Sequence, residues 1–365
     1  MIVNYEESIL AYISAIRRYF SLSSEYEPEK RFMDLLDRRR PEKVFILLID
    51  GMGARLIDRK LPEDAFLKKH MLYRTSTVFP STTTSATTSI QNGKAPSENA
   101  WLGWCQYLKE ADDIIIPFLS IGYYNDVRYE DHIMFKHIPV STTENDLKKK
   151  GIGSRILFPS FAEDGCDDFD EMCQRLIALS HSDEYRYIYA YWDRYDTYMH
   201  EYGPSSKICD SYLEHINYEI ENLALNLSDD TMLVVIADHG QVDINRYYNL
   251  YGSEFDRFFY RRPSLESRAQ AFFIRKGMEK EFEKRFKEVF QDDYILLSHE
   301  QVLRSKLFGD HGNHPRFEEF IGDYLAIGKS DLSFEYHERE KHRFKGQHAG
   351  MSDDELQIPV IVWMK

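Results

Sequence analysis

The 365-residue chain has little of several things, and each shortage excludes a class of protein. It carries only four cysteines, Cys105, Cys166, Cys173 and Cys209, with no paired spacing. Neither a disulfide framework nor a thiolate metal site is expected, and the thiols read as free in a reducing interior. No apolar run approaches the length of a membrane span. The opening segment, MIVNYEESILAYISAIRRYF, places Glu6 and Glu7 ahead of its apolar stripe, a pattern of an amphipathic helix and not of a secretory leader. The expectation is a cytoplasmic protein without a membrane partner. Positive charge is also scarce. A formal net charge of −15 argues against a nucleic-acid polymer as partner, because such binding draws on clustered Lys and Arg. A small anion is still a suitable ligand if a local positive centre exists, and metal ions are the strongest one available. Repeats and linker-like stretches are missing too, apart from one hydroxyl-rich run, so a single domain over 1–365 is expected.

What is present is enough apolar and aromatic content, 43% and 14%, to bury a large core. Four short apolar runs read as buried strands of the parallel type: Val44 to Ile49, Tyr185 to Trp192, Met232 to Ala237 and Ile358 to Trp363. Helical patterns at 167–181, 208–227 and 278–291 separate them, with apolar residues three and four apart. This alternation predicts a doubly wound α/β sheet.

Three of the strands end in acid, at the sheet edge where open α/β folds bind ligands. Asp50 follows VFILLI, Asp193 and Asp196 follow YIYAYW, and Asp238 follows MLVVIA with His239 beside it. A strand-end Asp often does no more than cap the next helix, but three on strands of one sheet call for another explanation. Asp196 and His200 are four apart, so one helical turn presents both on one face. His348 sits between glycines in GQHAG, just before the last strand. Three carboxylates and three imidazoles make the inventory of a site for two divalent ions. Mixed N and O ligands suit zinc first and manganese second. A second Asp-His-Gly, at Asp310, His311 and Gly312, has no apolar strand running into it and reads as a loop near the substrate entrance. Asp243, His337 and His342 read as surface residues.

The hydroxyl-rich run, FPSTTTSATTSIQNG at 79–93, reads as a turn at Pro80 followed by a helix. Its first hydroxyls then lie at a helix N-terminus, which favours anions. A threonine there becomes a usable nucleophile if a metal ion lowers the cost of losing its proton; otherwise Ser and Thr are simply good N-caps.

The motifs LLIDGMG, FPSTTTSA, YDTYMHEYGP, ADHGQ and GQHAG, in that order before a final IPVIV strand, resemble the nucleotide pyrophosphatase/phosphodiesterase family of the alkaline phosphatase superfamily. The likeness runs from about Lys43 to the C-terminus. It implies a three-layer α/β sandwich with a central, mostly parallel sheet flanked by helices, an N-terminal helical extension over 1–42 and a cap-like insertion at about 245–320. It implies that Asp50, Thr83, Asp238 and His239 hold one metal, that Asp196, His200 and His348 hold the other, and that Thr83 is the nucleophile with Thr82 as the lesser candidate. The implied activity is hydrolysis of phosphodiester or pyrophosphate bonds in small nucleotide-type substrates through a phospho-threonine. The alternatives are a phosphomonoesterase or phosphomutase of the same superfamily, or a non-catalytic binder of a phosphorylated ligand. A departure from the resemblance is PSENAWLGWCQ, where Asn99 and Ala100 replace His-Gly and Trp104 stands in place of a phosphate-binding Asn. Asn92 or Gln106 are the candidate substitutes, and Trp101 and Trp104 are candidates to stack on a base. Basic residues beside the nucleophile are absent from the motifs, with the Arg261 and Arg262 pair as the candidates to fold over the site.

Overall fold

The computed structural model describes residues 3–130, 132–338 and 343–365; His342, read above as a surface residue, lies outside them. Ten strands in chain order build two sheets. They are β1 (Lys43–Ile49), β2 (Met71–Ser76), β3 (Ser154–Leu157), β4 (Tyr187–Trp192), β5 (Thr231–Ile236), β6 (Phe259–Leu265), β7 (Ala269–Ile274), β8 (Tyr294–Ser298), β9 (Tyr324–Gly328) and β10 (Gln357–Trp363). The central sheet has the order β2-β10-β5-β1-β4-β3. In it β1 pairs in parallel with both β4 and β5, and β3 in parallel with β4. Every residue of β1 and of β5 is buried, as expected of strands covered on both faces.

The last strand departs from the parallel type expected of its apolar run. β10 runs antiparallel to both β5 and β2. A strand buried on both faces has the same apolar composition in either direction. Its direction is decided by where the preceding loop delivers the chain.

Seven helices matter here: α1 (Ile9–Tyr19), α2 (Lys30–Arg39), α3 (Thr83–Asn92), α4 (Phe169–Ser180), α5 (Arg194–Tyr202), α6 (Lys207–Asn226) and α7 (Glu279–Phe290). α1 packs on both α2 and α3, and α6 packs on both α4 and α5. No helix of the described residues is long and apolar enough to cross a membrane.

Residues read as an extension are knitted into the core. The Tyr5 hydroxyl donates to the Leu307 carbonyl at 2.9 Å and accepts from the Phe79 N–H at 3.2 Å, just before the hydroxyl-rich run. Arg17 binds Thr143 at 2.8 Å and Asp146 at 3.0 Å. β6 to β9 form a separate antiparallel sheet in the order β6-β7-β9-β8, covered by α7. Phe282, Phe286 and Phe290 lie four apart along α7 and pack, with Phe255, Phe259 and Phe272, into a second apolar cluster. The stretch GDYLAIG at 322–328 supplies β9 of this satellite sheet.

Candidate active site

All seven residues singled out from the motifs converge at the carboxyl ends of β1, β4 and β5. Asp50 directly follows β1, Asp238 and His239 follow β5, Asp196 and His200 share a face of α5, and Thr83 is the first residue of α3. His348 comes from the loop before β10. Asp193, the N-cap of α5, stays outside the cluster. Gly240 is there for close approach and not for a left-handed turn: a Cβ on it would stand 2.1 Å from the Asp354 carbonyl oxygen.

Thr83 Oγ1 lies 3.2 Å from His239 Nε2 and 3.4 Å from Asp50 Oδ2. His239 Nε2 lies 3.3 Å from Asp50 Oδ1 and 3.6 Å from Asp238 Oδ2, and His200 Nε2 lies 3.2 Å from Asp196 Oδ2. The rings of His239 and His348 stack with centroids 3.9 Å apart. Each imidazole is oriented from behind by a backbone carbonyl at its Nδ1: Gly240 for His239 at 3.1 Å, Gly346 for His200 at 2.8 Å and Ser81 for His348 at 3.2 Å. An Nδ1–H held this way leaves the Nε2 lone pair facing inward, as metal ligation requires.

The carboxylates are similarly half-satisfied. Asp238 Oδ1 accepts from the N–H groups of Gly51 at 3.1 Å and His239 at 3.0 Å, while its Oδ2 has no hydrogen-bond donor and is buried. Asp50 accepts from the Tyr191 hydroxyl on Oδ2, and its buried Oδ1 is likewise without a donor in bonding geometry. Burial and the neighbouring charges of Asp238 and Asp196 push the Asp50 carboxyl well above the usual range, and burial raises Asp238 to about 7. Burial acts against the Asp196 carboxylate, but His200, His348 and His239 outweigh it and hold Asp196 below the usual range. His200 is raised to about 9 because the pull of Asp196 exceeds the opposing effect of burial, whereas burial and the charge of His239 push His348 well below the usual value.

Buried orphaned carboxylate oxygens beside inward-facing imidazoles fit divalent cations. Two groups have ligand atoms within 4.8 Å of one another, Asp50 with Asp238 and His239, and Asp196 with His239 and His348. His239 thus borders both groups, where the resemblance assigned it to one. Two further groups with such spacing occur among the described residues, Glu6 with Asp310 and His311, and Asp170 with His215 and Glu219. The Asp310-His311-Gly312 loop is not at a substrate entrance. His311 binds Glu6 at 2.9 Å and stacks on Tyr26 with centroids 4.3 Å apart, away from the cavity lining.

Thr83, Asp196, His200 and His348 form the inner end of a cavity of about 830 Å³. Its outer wall holds Trp104, Tyr123, Tyr124, Glu266, Glu335 and Arg343, with His337 also lining it and so not a plain surface residue. Glu266 belongs to no motif and was missed in the sequence, as were Tyr191 and Gln241, which bind Asp50 and Asp196. The alternation of strand β4 already turned Tyr191 to the same face as the site, one signal that was readable. Thr82 is set apart from Thr83: its hydroxyl donates to Glu266 Oε1 at 2.5 Å. Asn92 accepts from the Lys94 N–H, and Gln106 bridges Leu102 and Ala100, so neither lines the cavity. Trp101 is wholly buried against Phe118 and Phe135, a core residue and not a stacking platform. Arg261 and Arg262 also stay off the cavity, over the rings of Tyr107 at 3.4 Å and Tyr124 at 5.0 Å. Asp243 receives the Ser205 N–H at 3.2 Å, a local structural contact.

The chain is thus an α/β protein with a mostly parallel sheet and a candidate metal centre of Asp and His side chains at its strand ends. The profile of the type I phosphodiesterase / nucleotide pyrophosphatase family matches residues 122–351. The chain belongs to this family of hydrolases. The matched span takes in Asp196, His200, Asp238, His239 and His348 but begins after Asp50 and Thr83, whose place rests on geometry. No curated protein sequence matches the chain. Among solved structures, murine ectonucleotide pyrophosphatase/phosphodiesterase 5 is similar in fold, with a TM-score of 0.68 over 88% of each chain at 14% identity. An inactive threonine-to-alanine form of the same murine protein in complex with AMP superposes at 0.66 over 87% of each chain at 14% identity. Phosphonoacetate hydrolase from Sinorhizobium meliloti, in complex with phosphonoacetate, gives 0.62 at 15% identity, over 88% of this chain and 90% of that one.

Proposed function

We propose that the protein hydrolyses phosphodiester or pyrophosphate bonds of small nucleotide-type substrates in two steps through phosphorylated Thr83. The observation that carries this reading is the position of the Thr83 hydroxyl, 3.2 Å from His239 Nε2 and 3.4 Å from Asp50 Oδ2, at the head of a helix and against buried orphaned carboxylates. The inactive threonine-to-alanine relative that binds AMP supports it.

Asp50, Asp238, His239 and Thr83 would hold one divalent ion and Asp196, His200 and His348 the other, with zinc the best match to the donors and manganese the second. Bound there, such ions supply positive charge for the phosphoryl oxygens and lower the cost of ionising the threonine hydroxyl. The chain's own residues do the rest. Thr83 Oγ1 attacks phosphorus and loses its proton, the bond to the leaving oxygen breaks, and water then cleaves the phospho-threonine. Thr83 opens α3, and a helix N-terminus favours negative charge on a phosphoryl group held there. Gln241 and Tyr191 hold the carboxylates of Asp196 and Asp50 in place.

A preference for diesters over monoesters follows from the lining. Among the described residues Arg343 is the only Lys or Arg on the cavity wall, and Glu335 binds its guanidinium at 3.2 Å. Little is left to neutralise the extra charge of a monoester. The deciding experiment compares kcat/KM of the zinc-loaded protein for a nitrophenyl nucleotide diester, nitrophenyl phosphate and nitrophenyl sulfate. The diester is expected to win, and a clear monoester preference would replace the diesterase reading with a phosphomonoesterase one.

A further inference from the structure

Glu266 stands in no motif, yet the fold brings its carboxylate next to Thr82, the residue before the nucleophile. Its Oε1 accepts from the Thr82 hydroxyl at 2.5 Å and from the Trp104 N–H at 2.6 Å. Oε2 receives no donor among the described residues, and Glu266, half-buried, lines the cavity together with Thr83. We propose that Glu266 is a specificity residue that sets the charge the site accepts, admitting a phosphoryl group with one anionic oxygen and repelling one with two. The inference rests on the diesterase reading and deepens it.

The backbone around Glu266 is built to aim it. Leu265 has φ = 75°, a left-handed conformation that a residue with a branched side chain adopts only when its surroundings impose it. The imposing contact is a two-way bridge to the Trp104 loop, Cys105 N–H to the Leu265 carbonyl at 3.2 Å and Leu265 N–H to the Cys105 carbonyl at 2.7 Å. Gly103 permits the approach, since a Cβ there would stand 2.9 Å from Leu265 Cα. Strain is thus retained at a residue adjacent to a cavity carboxylate, where a strand ending in an ordinary conformation would point the side chain elsewhere.

Both donors on Oε1 favour the ionised carboxylate. Burial opposes ionisation and raises this carboxyl to about 7, while the Thr82 and Trp104 hydrogen bonds and the imidazoles of His239 and His200 pull the other way. Glu266 lines the same cavity as Thr83, His200 and His348, which places its charge beside the reaction centre. A fixed negative charge there discriminates by repulsion, the means by which a site rejects a ligand that its attractive contacts would accept. It also occupies the Trp104 N–H, a donor otherwise available to a phosphoryl oxygen.

The test uses zinc-loaded full-length protein at pH 8.5, with wild type, Glu266→Gln and Glu266→Asp. The amide oxygen of the Gln variant can still accept from Thr82 and Trp104, so position is kept while charge is lost. Two quantities are read: the ratio of kcat/KM for a nitrophenyl nucleotide diester to that for nitrophenyl phosphate, and the affinity for inorganic phosphate by calorimetry. Glu266→Gln should lower the ratio at least tenfold and tighten phosphate binding about as much, whereas Glu266→Asp should stay on the wild-type side of both. An unchanged ratio and unchanged phosphate affinity would overturn the inference, as would a parallel fall in both ester activities without tighter phosphate binding, the mark of a structural role. If wild type cleaves no diester the proposed function falls, and the calorimetric comparison still decides the role of Glu266. Glu266→Ala takes the place of the Gln variant should that prove insoluble.

Discussion

The two ends of the cavity differ in how they are built. The inner end consists of short Asp, His and Thr side chains set on strand tips and helix starts of the central sheet, each oriented by a backbone group or a neighbouring side chain. The outer wall is aromatic and glutamate-rich, and comes from the loop after α3, the end of β6 and the chain before β10. A site for cations on a parallel sheet demands fixed residue types at fixed places, so it leaves motifs. A wall that selects by shape and charge can be assembled from any segments that the fold brings together, so it leaves none.

The inner end is most sensitive at Thr83. Thr83→Ala should lower kcat for the diester by a factor on the order of a thousand or more, with metal content by elemental analysis largely retained, because Asp50, Asp238 and His239 remain. Thr82→Ala, which touches only the outer wall through Glu266, should keep activity within about tenfold. The reverse ranking would show that the wrong hydroxyl has been assigned to the inner end.

Removing cations tests the inner end as a whole. EDTA should abolish turnover and lower Tm, since the buried oxygens of Asp50 and Asp238 then face one another without compensation, and two equivalents of zinc should restore both. Full activity after exhaustive chelation would refute the metal site.

The link between the two ends is the buried pair of Arg268, in the turn between β6 and β7 of the satellite sheet, and Glu355, joined at 2.7 and 3.1 Å. Glu355 also accepts from the Gly350 N–H at 2.8 Å, two residues from His348. Arg268→Met should cost about 3–5 kcal/mol in urea unfolding, because it strands a buried carboxylate. A loss below about 1 kcal/mol would mean that the satellite sheet contributes little to holding the His348 loop.

The smallest effect is a pH dependence in the outer wall. Glu266 is raised to about 7 from an ordinary 4.5, so the folded protein holds a proton there that the unfolded chain has released. That contribution to stability is complete below about pH 4.5 and is lost as pH rises through about 7. Wild type should therefore lose stability relative to Glu266→Gln between pH 5 and 8, by roughly 1–3 kcal/mol in metal-free protein. Parallel Tm profiles for the two proteins would place Glu266 in a solvated setting.

From the sequence alone came the β1, β4, β5 and β10 strands, the α4, α6 and α7 helices, and the six Asp and His side chains at the inner end, because apolar runs bounded by acid and glycine are local signals read within one segment, whereas the choice of Thr83 within its hydroxyl run came from the family resemblance. Three things were decided only by tertiary structure. The antiparallel direction of β10 depends on the loop that feeds it, and a strand buried on both faces looks alike either way. The integration of residues 1–42 depends on distant partners such as Leu307 and Thr143. Glu266 reached Thr82 across 184 positions of chain through a bridge between Cys105 and Leu265, and no local pattern encodes a contact whose two sides are joined only by the packing of separate sheets.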